Sequence, residues 1–576
     1  MLKVPSCGVR ISRPANAVFP IKTTGRLKTS TRPRIPPHTV FRYNQNGFPL
    51  SAPSARLKGR LKTRKAVHAC TPPEHNRGYG VFEKRIRIRQ TANPIRIKKE
   101  HQMHVKMRQL LFPALLCTPA AALAATPDGA QLSLFWGIPF VLILLSIATG
   151  PLFFTHTWHH HFGKITAMWT LLFLVPFTLV YGFGAGVGTV VHALVEEYIP
   201  FILLLLALYT VSGGILVWGN LHGSPKTNTA ILAIGTLLAS VMGTTGAAML
   251  MIRPLLKAND NRKHRVHSVV FFIFLVANIG GGLTPLGDPP LFLGFLKGVD
   301  FGWTVEHMLP PVLISAAVLL TLFYFIDRHY YALEDEILPR DPSPDSALKI
   351  HGKRNFFLLV GIVGAVLLSG IWKPGVSFDI LGSHYELQNL VRDGLLLAIT
   401  LISLKITPKQ VRTGNEFNWD PITEVGKLFL GIFITIAPVL AILKAGEHGA
   451  MAGLVALVHD SAGNPVNTMY FWMSGMLSAF LDNAPTYLVF FNLAGGDPHV
   501  LMNGHLFHTL LAVSMGSVFM GALSYIGNAP NFMVKAIAEQ RKVPMPAFFG
   551  YMAWSFGILI PLFILHTLVF FVWQIF

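Results

Sequence analysis

Two long apolar stretches of this chain are interrupted at their centres by polar residues and helix breakers, which restricts the possible folds more than any other feature. Residues 229–251 contain Gly and Thr midway along, and residues 469–493 contain Asp, Asn and Pro. An open backbone amide or carbonyl in lipid is costly, so a break in a membrane helix persists only where protein, water or an ion satisfies it. We therefore predict two re-entrant helical hairpins with polar tips.

Ten further stretches are long and apolar enough to cross a membrane as helices, which requires about 20 residues. They are 131–154, 165–183, 199–219, 268–300, 309–327, 356–373, 391–406, 426–444, 505–535 and 547–575. Only 13% of the 576 residues are charged, whereas soluble domains average about 25%. The sequence therefore predicts an all-α polytopic membrane protein.

The basic residues of the connecting loops indicate the orientation. If the interrupted stretches are hairpins, the loops on one side contain 19 Lys and Arg, and those on the other side contain only Lys297. Cytoplasmic loops carry the excess of Lys and Arg, so the first hairpin is predicted to enter from the cytoplasm and the second from outside. Each half then has five transmembrane helices plus one hairpin, and this odd number of crossings inverts the second half.

The two halves also share local sequence. Ser240–Leu250 aligns with Ser478–Leu488 at an offset of 238 residues, and Gly281–Pro290 aligns with Gly521–Pro530 at an offset of 240. In this alignment the hairpin tips pair Asp482 with Thr244. Inverted repeats with discontinuous helices are typical of secondary transporters, whose sites lie where the repeats meet at mid-membrane.

Asp288 and Asp482 are the most informative residues, because each lies inside an apolar stretch. A carboxylate at mid-membrane costs at least about 2.5–3.5 kcal/mol. Burial favours the neutral acid and a bound cation favours the carboxylate, so one such group can hold a proton or a sodium ion but hardly both. This competition is the simplest mechanism of cation/proton exchange. The alternative is a neutral Asp that caps a half-helix.

Two of the predicted spans also contain breaks, at Gly280–Pro290 and Tyr525–Asn531, so that four helix breaks are predicted in all. If each hairpin faces the broken helix of its own half, two ion-binding sites follow. Each has one carboxylate together with hydroxyl, amide and backbone oxygens, which suit an alkali cation. The first set is Thr244, Thr245, Asn278, Thr284 and Asp288, and the second is Asp482, Asn483, Thr486, Ser524, Asn528 and Asn531. Asp288 and Asp482 would bind the transported Na⁺, and we expect no structural metal or cofactor. The neutral side chains could instead join helices by hydrogen bonds.

Residues 1–102 are basic and show no apolar periodicity, so they cannot build a core. The first 100 residues contain 23 Lys and Arg but only 3 Asp and Glu, which accounts for almost all of the net charge of +21. Residues 103–125 have the basic, apolar and A-x-A regions of a signal peptide, so translation is predicted to start at Met103 or Met107. A genuine disordered tail and an RNA-binding arm are the alternatives for the leader.

At the four helix breaks the chain resembles the ion transporter superfamily over about residues 130–576. The segment NIGGGLTPLGDPPLFLGF, Asn278–Phe295, is most similar to the NhaD-type sodium/proton antiporter branch, some of whose members are labelled citrate transporters. The resemblance implies an elevator-type homodimer whose hairpin tips bind ions. The predicted organisation is a first repeat at 126–327, a cytoplasmic linker at 328–355 and a second, inverted repeat at 356–576.

These observations predict a secondary-active Na⁺(Li⁺)/H⁺ antiporter in the bacterial inner membrane, with small ions and lipid as its partners. The alternative is a citrate-like organic-anion transporter coupled to cations. Such a carrier would need a basic residue near the breaks, and the nearest, Arg253 and Lys535, lie toward the cytoplasmic edge. The sequence contains no phosphate loop, nucleophile elbow or zinc motif, so neither an enzyme nor a nucleic-acid-binding protein is predicted.

Overall fold

The computed structural model describes residues 128–334 and 346–575. The predicted leader and signal peptide lie outside these residues. The described chain is mainly helical. Its α-helices are α1 Ile138–Phe153, α2 Thr155–Tyr181, α3 Phe183–His192, α4 Ile199–Ser212, α5 Pro225–Met242, α6 Thr244–Ala258, α7 Val266–Leu275, α8 Pro289–Leu296, α9 Phe301–Ala332, α10 Arg354–Ile371, α11 Leu387–Ile406, α12 Lys409–Gly414, α13 Asp420–Lys444, α14 Ala452–Val458, α15 Asn467–Leu481, α16 Asn483–Leu493, α17 Pro498–Met502, α18 Phe507–Phe519, α19 Ala529–Gln540 and α20 Phe548–His566.

Within the described residues, nine helical segments are long and apolar enough to cross a membrane. They are Leu134–Phe153, His156–Tyr181, Phe183–Ser212, Val266–Leu283, Phe301–Ala332, Arg354–Ile371, Asp420–Lys444, Gly504–Leu523 and Phe548–Val572. All nine overlap predicted spans. The tenth predicted span, 391–406, lies on α11, which is not among the nine.

Four short strands interrupt the predicted all-α fold. Strands β1 (Leu216–Asn220) and β2 (Ser346–His351) pair antiparallel, with Leu216 opposite His351. Strands β3 (Ser377–Ile380) and β4 (Ser383–Glu386) form a second antiparallel pair. The prediction missed β2, β3 and β4 because they lie between apolar stretches, where the sequence pattern indicates only charge. It was wrong at β1, because residues 216–219 belong to the predicted span 199–219, whose helix ends at Ser212.

Both interrupted stretches form pairs of helices joined at a single residue. Helices α5 and α6 meet at Gly243, and helices α15 and α16 meet at Asp482. Both joining residues have a positive φ, 79° at Gly243 and 81° at Asp482. The predicted positions of the two helix breaks are therefore correct.

Two of the predicted spans are themselves broken into helical pieces. In the first, α7 is followed by a 3-10 turn at Ile279–Leu283 and then by α8. In the second, α18 is followed by a 3-10 turn at Met520–Leu523 and then by α19. Helix α7 and the residues that follow it are deeply enclosed, since residues 269–277 have no solvent exposure.

The hairpins and the broken helices pack in a crossed arrangement. In the first half α5 contacts the turn Ile279–Leu283, and in the second half α15 contacts the turn Met520–Leu523. The other arm of each hairpin reaches the opposite half, because α6 contacts α19 and α16 contacts α8. All four breaks consequently lie close together.

Candidate functional site

The two hairpin tips have nearly the same backbone conformation but different residues. Gly243 has φ 79° and ψ 151°, and Asp482 has φ 81° and ψ 143°. This region of backbone conformation is almost restricted to glycine, so Asp482 is held in a strained conformation. The sequence alignment paired Asp482 with Thr244, and this register is wrong by one residue. Asp482 takes the place of Gly243, while Thr244 and Asn483 each begin the second arm of a hairpin.

The breaks after α7 and α18 are stabilised in the same way. The Thr284 hydroxyl donates a hydrogen bond to the Ser240 carbonyl (2.5 Å) and accepts one from the Leu286 amide (3.1 Å). The Ser524 hydroxyl likewise donates to the Ala479 carbonyl and accepts from the Ile526 amide (3.1 Å). These two hydroxyls replace backbone hydrogen bonds that the breaks remove. Thr284 and Ser524, both predicted as ion ligands, therefore already use their hydroxyl groups in hydrogen bonds to the backbone.

Asp288 lies at the N-terminus of α8 and is 1% exposed. Its carboxylate accepts hydrogen bonds from the Thr244 hydroxyl (3.0 Å), the Asn528 side-chain amide (3.0 Å) and the Asn483 side-chain amide. Thr244 and Asp288 belong to the first half of the chain, while Asn483 and Asn528 belong to the second. Three donors directed at one carboxyl group match the ionised form of that group.

This carboxylate has no basic partner within residues 128–334 and 346–575, where none of the ion pairs includes Asp288 or Asp482. Buried charges in proteins are normally paired or bind a metal ion. An ionised Asp288 therefore has its hydrogen-bond donors in place and still needs a positive charge nearby.

Asn278 and Asn531 hold the two broken helices together. The Asn278 side-chain amide donates to the Asn531 side-chain oxygen (2.7 Å) and to the Ile273 carbonyl (2.8 Å). The Asn531 amide donates to the carbonyls of Gly521 and Ser524, both at 2.9 Å. Both side chains are fully buried. Because their amide protons are used within the protein, these two predicted ligands act as connectors in this conformation.

The second hairpin tip has an unsatisfied oxygen. Asn483 is fully buried, and among the described residues its side-chain oxygen has no hydrogen-bond partner, although its amide group donates to Asp288. The Thr486 hydroxyl donates to the Asp482 carbonyl (2.7 Å), four residues earlier at the start of its own helix. A buried oxygen without a donor is costly and is suited to accept a cation or a water molecule.

A cavity of about 380 Å³ adjoins the tips. Among the described residues, its charged lining consists of the carboxyl groups of Asp288, Asp482, Asp420 and Glu424, with no Lys or Arg. Trp158 and His159 also line it, and the Trp158 indole donates to Glu424 (3.3 Å). The charge pattern predicts residues 155–164 and 405–427 to be cytoplasmic loops, but the structure places the start of α2 and the start of α13 in these ranges. The chemistry of the lining favours a cation.

The structure sorts the predicted site residues into two groups. Those that line the cavity are Thr244, Thr245, Asp288, Asp482, Asn483 and Asn528. Those that lie behind it and hydrogen-bond to other protein groups are Asn278, Thr284, Thr486, Ser524 and Asn531. The predicted division into two sites, one in each half, differs from the structure, which joins residues of both halves around Asp288. The crossed packing of the hairpins is the physical reason.

Sequence reasoning missed the cavity residues outside the helix breaks. Trp158, Asp420 and Glu424 reach the cavity from α2 and α13. All three lie in ranges that the charge pattern predicted to be cytoplasmic loops, where an acidic residue is normally solvated, whereas the structure places them on helices. In the described part of the chain, no cluster of three or more His, Cys, Asp or Glu could hold a metal ion.

Within the described residues, nine apolar helical segments and a cavity with buried carboxylates outside any ion pair indicate a multi-pass membrane protein of the transporter class. Residues 129–571 match the sequence family described as "Putative citrate transport". The chain therefore belongs to this citrate-transporter-like family. As predicted, it is a transporter and not an enzyme.

Several mycobacterial proteins are related to this chain. Uncharacterized transporters of Mycobacterium bovis and Mycobacterium tuberculosis are each 26% identical over 332 residues, covering 56% of this chain and 72% of theirs. A 46 kDa membrane protein of Mycobacterium leprae is 23% identical over 331 residues, with the same coverage. These relatives support membership of a transporter family and name no transported substrate.

Proposed function

We propose that this protein exchanges Na⁺ or Li⁺ for H⁺ across the bacterial inner membrane, with Asp288 and Asp482 as the carrier groups. The main support is the cavity lining, in which the described part of the chain contributes four carboxyl groups and no Lys or Arg. A buried carboxylate without a basic partner requires a proton or a cation. Binding one excludes the other, which couples the two fluxes.

The amide side chains around Asp288 suit this exchange. Asn483 and Asn528 now direct their NH₂ groups at the carboxylate. Rotation of an amide by about 180° exchanges its donor and acceptor ends. The same two residues can therefore stabilise an empty, ionised Asp288 and then provide oxygen ligands to a cation beside it. The Asn483 oxygen, which has no partner among the described residues, would need only a small movement of the tip to contact such a cation.

Alternating access would follow from two inverted repeats with re-entrant hairpins. The repeated tip conformation and the repeated Thr284 and Ser524 hydrogen bonds support an internal repeat. An elevator movement of the hairpins and broken helices against the remaining helices would carry the site across the membrane. A homodimer, a signal peptide at 103–125 and a start at Met103 or Met107 remain predictions.

Transport of a citrate-like anion with a cation is the second candidate. The family description favours it, as do the N-termini of α6, α8, α16 and α19, which begin at the cavity-lining residues 244, 289, 483 and 529. Helix N-termini attract anions through their free amides. The missing Lys and Arg count against a free tricarboxylate, whereas a metal–citrate complex would contact the acidic lining through its metal.

Everted membrane vesicles provide the test. Vesicles acidified by respiration are monitored with a pH-sensitive acridine dye while NaCl, LiCl, KCl or citrate is added. We expect Na⁺ or Li⁺ to release protons from vesicles with the intact protein and not from those with Asp288→Asn. A response to citrate alone, with none to cations, would replace antiport by the second candidate.

A further inference from the structure

The ion pair between Lys297 and Glu197 lies at the opposite end of α8 from Asp288. The Lys297 ammonium nitrogen is 2.6 Å from a Glu197 carboxylate oxygen. Only 5% of the Glu197 side chain and 26% of the Lys297 side chain are exposed. This pair is therefore far less screened than a surface ion pair.

Lys297 is fixed rigidly to the helix that begins at Asp288. It follows α8 directly, and the next residue, Gly298, has φ 101°. The Gly298 amide donates to the Phe295 carbonyl, and the Val299 amide donates to the Gly294 carbonyl, which is the Schellman arrangement that closes a helix. An eight-residue helix of about 12 Å thus connects the carrier carboxylate to this lysine.

Glu197 belongs to a different part of the structure. It lies in a π-helical segment, Ala193–Tyr198, between α3 and α4. This segment packs against α13 and α4, and α4 packs against α10 and α11. π-helical turns occur frequently at functional sites. The ion pair therefore joins the helix that carries Asp288 to helices that do not contribute to the hairpin tips or to the broken spans.

Glu196, which is adjacent to Glu197 in the sequence, has a partner of its own. It pairs with His192 (2.9 Å), four residues earlier on the same helical stretch. Lys297 is also the single basic residue of the predicted outer loops, whereas the cavity is lined by Trp158, His159, Asp420 and Glu424 from predicted inner loops. In the predicted topology, the pair thus lies on the side opposite to these cavity-lining residues.

We propose that the Lys297–Glu197 pair is a latch that stabilises the arrangement in which the Asp288 cavity opens to the cytoplasm, and that it separates in every transport cycle. The proposal rests on the transport function proposed above. If α8 moves with its ion, Lys297 must leave Glu197, because α8 connects Asp288 rigidly to Lys297. An ion pair with this little exposure would hold α8 against the segment Ala193–Tyr198 until the free energy of ion binding offsets the loss of the pair.

Chemical cross-linking tests whether the pair must separate. Cys7, Cys70 and Cys117 are first replaced by Ser. Glu197→Cys and Lys297→Cys are then combined and joined with a short, reducible bis-methanethiosulfonate. We expect cross-linking to abolish exchange in vesicles and reduction to restore it. The matched control, His192→Cys with Glu196→Cys, lies within one helical stretch and should be insensitive. Full exchange by the cross-linked protein would overturn the latch.

A labelling experiment measures, without any transported ion, how far the protein favours the arrangement whose cavity opens to the cytoplasm. Met533 lines the cavity, so Met533→Cys reports its accessibility to a maleimide added from the cytoplasmic side. Glu197→Gln and Lys297→Gln should each slow this labelling by roughly fivefold or more, and Glu197→Lys with Lys297→Glu should restore it. Unchanged labelling in both single variants would refute the latch even if antiport is observed. Altered labelling without cation exchange would instead keep the latch and refute the antiport.

Discussion

Asn483, at the tip of one hairpin, donates a hydrogen bond to Asp288, 195 residues earlier at the start of a broken helix in the other half of the chain. The contact places a donor from one hairpin on the carboxylate that the other hairpin also contacts through Thr244. A single carboxylate is therefore sensitive to the positions of both tips.

Replacement of either acidic residue should stop exchange without unfolding the protein. Asp288→Asn and Asp482→Asn keep the side-chain size and remove the charge that alternates between proton and cation. We expect Na⁺-driven proton release from everted vesicles to be lost or strongly reduced in each variant. Size-exclusion chromatography in detergent should show the same folded peak as the parent protein. Normal exchange by both variants would exclude the proposed carrier groups.

The Thr244 hydroxyl should contribute to cation affinity but not be essential. Thr244→Val removes one donor to the Asp288 carboxylate and one neutral oxygen at the cavity, and a hydrogen bond to a charged group is worth about 1.5–3 kcal/mol. The apparent affinity for Na⁺ should fall while the maximal rate is largely kept. Thr236→Val is the matched control, because the Thr236 hydroxyl donates to the Leu232 carbonyl in its own helix (2.7 Å). A Thr244→Val protein with the affinity of this control would contradict the assignment.

The tip conformation predicts opposite stability changes at the two hairpins. Asp482→Gly should relieve backbone strain, and Gly243→Ala should introduce it, each by about 1–2 kcal/mol. The melting temperature in detergent should therefore rise or stay the same in the first variant and fall in the second. Asp482→Gly should nevertheless lose exchange, because the carboxyl group is gone. Destabilisation by Asp482→Gly would show that the aspartate is not strained at this position.

Competition between protons and cations predicts the direction of the pH effect. Lowering the pH protonates the carboxylates that bind the cation, so a higher Na⁺ concentration is needed for half-maximal exchange. The half-maximal concentration should rise steadily as the pH falls, with up to about a tenfold change per pH unit when one proton competes with one cation. A half-maximal concentration independent of pH would mean that protons and cations use separate sites.

The predicted orientation can be tested by labelling single cysteines in a background that lacks Cys7, Cys70 and Cys117. Asp260 and Val500 are both exposed and follow the first and second hairpins, respectively. Asp260→Cys should react with an impermeant maleimide only from the cytoplasm, and Val500→Cys only from outside. Reaction of both positions from the same side would make one hairpin a full span and exclude the inverted arrangement.

The sequence alone determined where the helices run and where they break. An apolar stretch of sufficient length predicts a membrane helix, and polar or helix-breaking residues inside it predict an interruption, because both depend on backbone hydrogen bonding within one segment. For the same reason Asp288 and Asp482 stood out as carboxylates in apolar surroundings. Their place at the hairpin and helix breaks was correct, whereas the tip alignment was one residue out.

Only the tertiary structure decided which residues meet. Asn483 and Asn528 reach Asp288 from the opposite half, and Asn278 and Asn531 use their amides to join the two broken helices. These contacts link positions 195 to 253 residues apart, and no local pattern encodes which arm of a hairpin packs on which helix. The cavity residues Trp158 and Glu424 were missed for the same physical reason: side chains distant in sequence converge only when the helices pack.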